Sequence, residues 1–337
     1  MNLSLGYLKK SAENGDVVSQ NTLGKLYFIG YKVEKNYEEA YKWFEKSAKQ
    51  GYPESQYSLG VMFYEGCAVN RDYKEAYKWF EKAAQHGYPA PQFCLGIMFY
   101  KGHGVNQDYE EAYKWFNKAA DQGHAGSLFY LADMFLSGNW VNQDFRKAFQ
   151  YFKKSAELGH SDAQFFVGEM YYEGRGVEQD YQEAYNWFKK SAENGNIRGQ
   201  VNFAGLYVAG LGVSQNYKEA FKWYSRAAKQ GSSDGLYNLG LLYLKGHGVK
   251  QNYRKAYDYF IKASNKNHPY AQYKLAMLYS EGYGVNQDYK EAFKWFKKSA
   301  DQGCLEAQAY LDNIYDNGLY MNKDVKRHKR FKKLQPM

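Results

Sequence analysis

Apolar and polar residues follow each other with helical spacing along this chain, in a pattern that returns every 36 residues. One unit reads YPAPQFCLGIMFYKGHGVNQDYEEAYKWFNKAADQG, residues 88–123. Its first half has a helical pattern that stops at Gly102, where a helix C-cap favours positive φ. Asp108 and Glu111 then have the spacing of a capping box, which opens a second helix that ends at Gly123. The unit predicts a hairpin of two helices, here called helix A and helix B.

Three residue types mark the period without an insertion or deletion, so the chain is predicted to be an internal repeat array. We expect a partial repeat in residues 1–15 (a lone helix B), eight repeats in residues 16–303, a lone helix A in residues 304–318, and a basic cap or tail in residues 319–337. The unpaired half-repeat at the start predicts that the chain belongs to a longer array. The aromatic series is Trp43, Trp79, Trp115, Tyr151, Trp187, Trp223, Tyr259 and Trp295.

The faces of the two helices predict how they pack. In residues 72–87 of helix B, Ala76, Phe80 and Ala83 share one face, while lysine and glutamate cover the opposite, solvated one. Helix A carries a small residue at Gly60 and its equivalents, which predicts a close approach of helix B. Because a pair this short cannot bury its aromatic residues alone, neighbouring pairs must stack. The fold class predicted is an all-α solenoid.

Charge separates the end of the chain from its body. The formal net charge is +9, and residues 322–337 hold seven Lys or Arg and one Asp, which is +6 and leaves +3 for the rest. Two interpretations stay open for this segment: a polar cap on the last repeat, or a basic patch for acidic lipid, nucleic acid or an acidic partner. The residues that would form the patch are Lys326, Arg327, Lys329, Arg330, Lys332 and Lys333.

Chemistry-bearing residues form no catalytic or metal-binding pattern. Cys67, Cys94 and Cys304 have unrelated spacings and are expected to be free thiols. The seven histidines fall mostly at turn positions, so we expect no catalytic residue, metal or cofactor. With no signal peptide and no apolar run of about 20 residues, we expect a cytoplasmic protein, with secretion by a non-Sec route left open.

One face of helix A varies between repeats while the other positions keep their character. Apolar and aromatic residues beside polar ones on such a face are typical of a peptide-binding surface, although unconstrained variation would give the same pattern. We expect the stripe to lie on the concave side and to bind a protein or peptide. This helix A stripe consists of Ile97, Tyr130, Asp133, Phe166, Glu169, Asn202, Asn238, Leu241, Lys274, Met277, Tyr310 and Asn313.

The segment AQYKLAMLYSEGYGVNQDYKEAFKWFKKSADQG, residues 271–303, resembles the Sel1-like repeat, a relative of the tetratricopeptide repeat. Eight copies fit this resemblance in phase, with Lys32, Ala68 and Trp140 in place of the second loop glycine. The resemblance implies a right-handed α/α superhelix and a scaffold or adaptor in protein complexes, in bacterial signalling or host interaction among other settings. It also leaves an alternative, a β-lactamase-like or cell-wall-ligand-binding protein. We expect a monomer, no nucleic acid partner, and membrane contact only through the basic tail.

Overall fold

The computed structural model describes residues 5–316, with side chains as far as residue 314, and all regular elements in that range are helices. The chain divides into two compact units, residues 1–180 and residues 181–337, which hold α1–α10 and α11–α18. The helices are α1 Leu5–Glu13, α2 Val17–Ile29, α3 Tyr37–Lys49, α4 Pro53–Glu65, α5 Tyr73–Ala84, α6 Pro89–Lys101, α7 Tyr109–Ala120, α8 Ala125–Ser137, α9 Phe145–Glu157, α10 Ser161–Glu173, α11 Tyr181–Glu193, α12 Ile197–Ala209, α13 Tyr217–Lys229, α14 Ser233–Lys245, α15 Tyr253–Ser264, α16 Pro269–Glu281, α17 Tyr289–Asp301 and α18 Leu305–Asp316.

Consecutive helices pair as hairpins in each unit. In the first unit α2 packs on α3, α4 on α5, α6 on α7 and α8 on α9. In the second unit α12 packs on α13, α14 on α15 and α16 on α17. Each helix B also packs on the helix A that follows it, so the hairpins stack in chain order. The prediction of an all-α solenoid of helix-turn-helix repeats is confirmed.

Left-handed residues close the turn inside each hairpin. Gly102 ends α6 at a φ of 70°, and its N–H donates to the carbonyl of Met98. Gly104 follows at a φ of 74°, where a Cβ atom would lie 2.5 Å from the carbonyl carbon and oxygen of Tyr73. This turn is therefore held against the first residue of the preceding helix B. The three residues that replace the second glycine keep the same conformation, at φ values of 62°, 63° and 66°: Lys32, Ala68 and Trp140.

Only half of the predicted capping box forms. Asp108 accepts the N–H of Glu111 at 3.0 Å, as the N-cap pattern predicts. The N–H of Asp108 donates to the carbonyl of Phe99 in helix A at 2.9 Å, so it is not free for the Glu111 carboxylate. That carboxylate instead accepts from Lys114 Nζ at 2.8 Å. The prediction of the reciprocal bond is wrong, because the N–H of Asp108 that it needs is already bonded to helix A.

A glycine in helix A lets the two helices of a hairpin approach closely. A Cβ atom on Gly60 would lie 2.5 Å from Cδ1 and Cε1 of Phe80, which is buried. Gly24, Gly96 and Gly240 meet the equivalent phenylalanine at 2.5–2.7 Å. The predicted close approach is confirmed for these hairpins. Burial of such a ring contributes about 2–3 kcal/mol. The buried aromatic residues at this register are Phe44, Phe80, Phe116, Phe152, Phe188, Tyr224, Phe260 and Phe296.

Glutamine side chains join consecutive hairpins. Gln272 in α16 donates to the carbonyl of Ser264 at the end of α15, at 3.3 Å. Its Oε1 accepts from Gln302 Nε2, at the end of α17, at 2.6 Å. Gln56 in α4 makes the equivalent bond to a backbone carbonyl at 3.4 Å, but its Oε1 has no hydrogen-bond partner in the described part of the chain. In that hairpin the residue that corresponds to Gln302 is His86. The Oε1 atom of Gln56 therefore lacks the glutamine donor that Gln272 has.

Candidate functional site

The residues of the helix A stripe are distributed over the A helices of the two units. Its members occupy α6, α8 and α10 in the first unit, and α12, α14, α16 and α18 in the second. Ten of the twelve side chains are half-buried, and Asn202 and Asn313 are exposed. Leu59 and Met62, on the other face of helix A, are fully buried. The stripe is therefore a partly accessible surface above the core.

Packing accounts for the aromatic members of the stripe. Each one stacks on the buried phenylalanine of the preceding helix B, so the apolar character at these positions has a structural cause. These rings are half-buried because they complete the contact between consecutive hairpins. The stacked pairs are Tyr130 on Phe116 (centroids 5.1 Å apart, interplanar angle 15°), Phe166 on Phe152 (4.8 Å, 9°) and Tyr310 on Phe296 (3.9 Å, 23°).

Asp133 is held in place by the neighbouring helix A. The Tyr100 hydroxyl donates to Asp133 Oδ2 at 2.7 Å, and Asn139 Nδ2 donates to the Tyr100 oxygen at 3.4 Å. Burial first, and then this bond to the carboxylate, raise the pKa of Tyr100. The A helices of two successive hairpins in the first unit, α6 and α8, therefore fix one carboxylate on the stripe.

Three polar stripe residues follow each other at intervals of 36 in the second unit: Asn202, Asn238 and Lys274. Asn238 Nδ2 donates to the carbonyl of Asp234, one turn earlier, at 2.9 Å. Lys274 is half-buried, and its Nζ lies 5.1 Å from the centroid of the Tyr273 ring. Burial lowers the pKa of the Lys274 amine. At this position of the repeat, the second unit therefore presents two asparagine amides and one partly desolvated lysine amine.

Apolar stripe residues flank those polar groups. Leu241 packs on the core cluster that contains Phe260, and Met277 packs on the cluster that contains Phe296. Both side chains are half-buried, so part of each one faces solvent. Tyr270, one turn before Lys274, is 48% exposed. The second unit therefore combines apolar contacts with polar groups on one surface.

The charged side chains of helix B pair with one another and with aromatic rings of the same helix. Lys78 Nζ pairs with Glu75 at 2.8 Å, and Lys82 Nζ lies 4.6 Å from the centroid of the Trp79 ring. Pairs of this exposed kind add little to stability, because water and salt screen the two charges. Two recesses of about 550 Å³ and 540 Å³ lie near the C-terminal ends of neighbouring B helices, beside Tyr151 and beside Trp295. The repeated ion pairs agree with a solvated face.

Three histidines cap helix A, a role that sequence reasoning missed. His124, His160 and His268 each accept a backbone N–H through Nδ1, at 3.1–3.2 Å. Each ring also lies 4.6–4.8 Å from an aromatic ring of the preceding helix A. Burial lowers the pKa of His124 and of His160. These histidines occupy the same position of the repeat as the N-caps Asn196 and Ser232. That shared position is the sequence signal from which the capping role could have been predicted.

The predicted basic patch, Lys326, Arg327, Lys329, Arg330, Lys332 and Lys333, lies outside the described residues. Cys67, Cys94 and Cys304 are free thiols, as predicted. Within residues 5–316, no group of three or more His, Cys, Asp or Glu side chains is placed to hold a metal ion. None of the helices in that range is long and apolar enough to cross a membrane.

Stacked hairpins with a varied face on helix A define a helical repeat scaffold. The family model described as Sel1 repeat matches residues 1–16, 17–52, 53–88, 92–124, 125–160, 161–196, 199–232, 233–268 and 269–304. The chain belongs to the Sel1 repeat family. Proteins of this family are in general non-enzymatic scaffolds for protein interaction.

Two solved structures show the same fold. The chain is 36% identical to c5321, a protective antigen of uropathogenic Escherichia coli strains that displays an SLR fold, with a TM-score of 0.81 over 94% of this chain and 68% of that one. It is 31% identical to a Sel1 repeat protein from Oxalobacter formigenes, with a TM-score of 0.64 over 93% of this chain and 91% of that one. Comparison with the curated proteins finds no significant match.

Proposed function

We propose that this protein is an adaptor without enzymatic activity, and that it binds a partner protein or peptide along the concave helix A stripe. Each unit contributes its own segment of that surface. The first segment combines aromatic and aliphatic residues with carboxylates, whereas the second combines amides and an amine with aliphatic side chains and one tyrosine. A partner that follows the stripe would meet apolar contacts beside polar groups that select its sequence.

The observation that carries this proposal is the contrast between neighbouring positions of the same helix. The residues equivalent to Leu59, Gly60 and Met62 are apolar or small in each of the eight repeats. Leu59, Gly60 and Met62 are themselves buried. The residues equivalent to Ser58 and Val61 change from aromatic to amide, amine, carboxylate or aliphatic. Since the backbone stays the same, the varied positions give each repeat a different surface. The aromatic members also have a packing role, so the non-aromatic members carry more of the argument.

A steric block inside the stripe tests the proposal with little effect on the fold. Gly205 occupies the register of Val61 in α12, and a Cβ atom there would meet only the Tyr224 hydroxyl oxygen, at 3.9 Å. Gly205→Arg therefore adds a long side chain to the stripe without a clash near the backbone. Ser214→Arg adds the same side chain to an exposed position in the following turn and serves as the matched control.

The measurement is affinity capture from the source organism followed by mass spectrometry, with circular dichroism to show equal helicity. We expect a specific partner to be captured by the wild type and by Ser214→Arg, and to be lost with Gly205→Arg. Equal capture by all three proteins would show that the partner binds elsewhere and would refute the helix A assignment.

A further inference from the structure

One tyrosine hydroxyl lies under the helix A stripe of the second unit without a hydrogen-bond partner. Tyr224 in α13 is 4% exposed, and none of the described residues bonds its hydroxyl. Burial alone raises the pKa of Tyr224. In the described residues, the unpaired side-chain oxygens that solvent cannot reach are Gln56 Oε1 and Ser264 Oγ, so the Tyr224 oxygen still touches solvent. A hydroxyl desolvated to this extent gains from a partner that arrives from outside.

A glycine opens the stripe above this hydroxyl. A Cβ atom on Gly205 in α12 would meet only the Tyr224 oxygen, at 3.9 Å. In the seven other repeats this position of helix A carries a side chain, and the buried ring is phenylalanine instead of tyrosine. Glycine inside a helix and an unpaired hydroxyl both lower stability, and such residues are typical of functional sites. The side chains at the position of Gly205 are Lys25, Val61, Ile97, Asp133, Glu169, Leu241 and Met277.

A second polar group borders the opening from the following helix A. Asn238 in α14 occupies the position of Tyr130, whose ring stacks on Phe116 of the preceding helix B with the centroids 5.1 Å apart. This shared position places Asn238 against Tyr224. Its Nδ2 donates to the carbonyl of Asp234 at 2.9 Å, which orients the amide and leaves Oδ1 to accept. The opening therefore offers a hydroxyl, which donates and accepts, and an amide oxygen, which accepts.

The stripe is uncharged around the opening. A carboxylate or an ammonium group placed there would lose water without gaining an opposite charge. An apolar group would leave the hydroxyl unpaired. A carboxamide avoids both costs, because its oxygen accepts from Tyr224 and its NH2 group donates to Asn238. The charged residues of α12 and α14 stand near the ends of these helices: Arg198, Asp234 and Lys245.

We propose that Gly205, Tyr224 and Asn238 form a neutral subsite of the stripe, which takes the carboxamide side chain of a glutamine or asparagine in a bound peptide. This inference rests on the proposed function and adds which partner side chain the surface selects. Gly205 gives the carboxamide access, the Tyr224 hydroxyl binds its oxygen, and Asn238 binds its amide group. A side chain of similar size without the carboxamide leaves the hydroxyl unpaired and is therefore rejected.

The experiment starts from a phage library of random dodecapeptides, selected on the immobilised full chain. The most enriched peptide is synthesised with a fluorescein label, together with a twin in which methionine replaces each glutamine and leucine replaces each asparagine. Fluorescence anisotropy gives the affinity of both peptides for the wild type, Tyr224→Phe, Gly205→Ala and a control, and thermal unfolding gives the stability of all four proteins. The control Tyr283→Phe removes the hydroxyl of a residue that is 43% exposed in the turn after α16.

We expect the selected peptides to share a glutamine or asparagine, and the twin to bind the wild type about three- to tenfold more weakly. Tyr224→Phe should weaken binding of the selected peptide by a similar factor and leave the twin unchanged, whereas Tyr283→Phe should match the wild type with both peptides. Gly205→Ala should also weaken binding of the selected peptide, because its methyl group narrows the opening. Tyr224→Phe should keep or raise the melting temperature, because it removes an unpaired hydroxyl.

Four results would overturn the inference. These are a library that yields no binding peptide, selected peptides without a shared carboxamide, an equal effect of Tyr224→Phe on both peptides, and a lower melting temperature of that variant, which would assign the hydroxyl a structural role.

The outcomes separate this inference from the proposed function. If Gly205→Arg abolishes partner capture while Tyr224→Phe binds both peptides as the wild type does, the stripe binds a partner but the carboxamide subsite is wrong. If peptide binding depends on the Tyr224 hydroxyl while Gly205→Arg leaves partner capture intact, the subsite stands and the assignment of the native partner to the stripe fails.

Discussion

Gly240→Val tests the contact that sets the distance between the helices of a hairpin. A Cβ atom at this position would lie 2.5 Å from Cε1, 2.7 Å from Cδ1 and 3.0 Å from Cζ of Phe260, which is fully buried. Carbon atoms in contact prefer about 3.5–4.0 Å, so the ring or the helix must move by about 1 Å. Overpacking of this kind costs about 1–3 kcal/mol, and valine recovers only a few tenths through its higher helix propensity. The net loss should be about 0.5–2.5 kcal/mol.

Two further substitutions in the same unit provide reference values for the loss of stability expected in Gly240→Val. Gly240→Ala should cost less than Gly240→Val, because Ala276 fills this register two helices later beside the same kind of ring. Gly205→Ala, where a Cβ atom meets only the Tyr224 hydroxyl oxygen at 3.9 Å, should instead gain about 0.5–1 kcal/mol from helix propensity.

The assay is urea unfolding followed by circular dichroism, with midpoints and slopes compared between variants, because neighbouring repeats unfold in a coupled way. The reasoning would be refuted by a loss below about 0.5 kcal/mol in Gly240→Val. It would equally be refuted if Gly205→Ala lost as much as Gly240→Val, since the effect would then not depend on the ring.

Three further predictions concern single polar side chains. His86→Gln should raise stability by about 0.5–1.5 kcal/mol in urea unfolding, because the new amide can donate to the unpaired Oε1 of Gln56; an unchanged midpoint would contradict the glutamine pairing. The pKa of His160 is lowered by burial, so its contribution to stability is present above the unfolded value of about 6.5 and is lost as the pH falls below it. His160→Asn, which supplies the cap used by Asn196, should therefore flatten the fall in melting temperature between about pH 7 and about pH 5, and an identical slope would contradict it. Lys274→Met should raise the melting temperature, because it removes a partly desolvated charge; a lower melting temperature would point to a structural role instead.

The repeat and its helices could be predicted because their signals are local. Asp108 as an N-cap and Gly102 as a C-cap act within a few residues of their own helix, so their spacing is enough to place the ends. The close approach of Gly60 and Phe80 could also be predicted, because a small residue that recurs in phase with a large one indicates that two helices lie close together. The helix A stripe was found by the same comparison of copies, although its role stays a prediction.

Contacts between repeats could not be predicted in the same way. Tyr130 looks exposed on a helical wheel, but it stacks on Phe116 of the preceding helix B. Glu111 has the spacing of a capping box, but the donor that it needs is already bonded to Phe99. A helical wheel describes one helix in isolation, whereas these bonds depend on which atoms a neighbouring helix brings within about 3 to 5 Å.

The same division applies to function. The periodic sequence alone determined the family, the hairpin and the face of helix A that varies, since each of these depends on residue type and register. Only the tertiary structure showed that the Lys274 side chain is half-buried and that the Tyr130 ring is used in packing on Phe116. The physical reason is that desolvation and charge compensation depend on distances between helices, which the order of residues along the chain does not give.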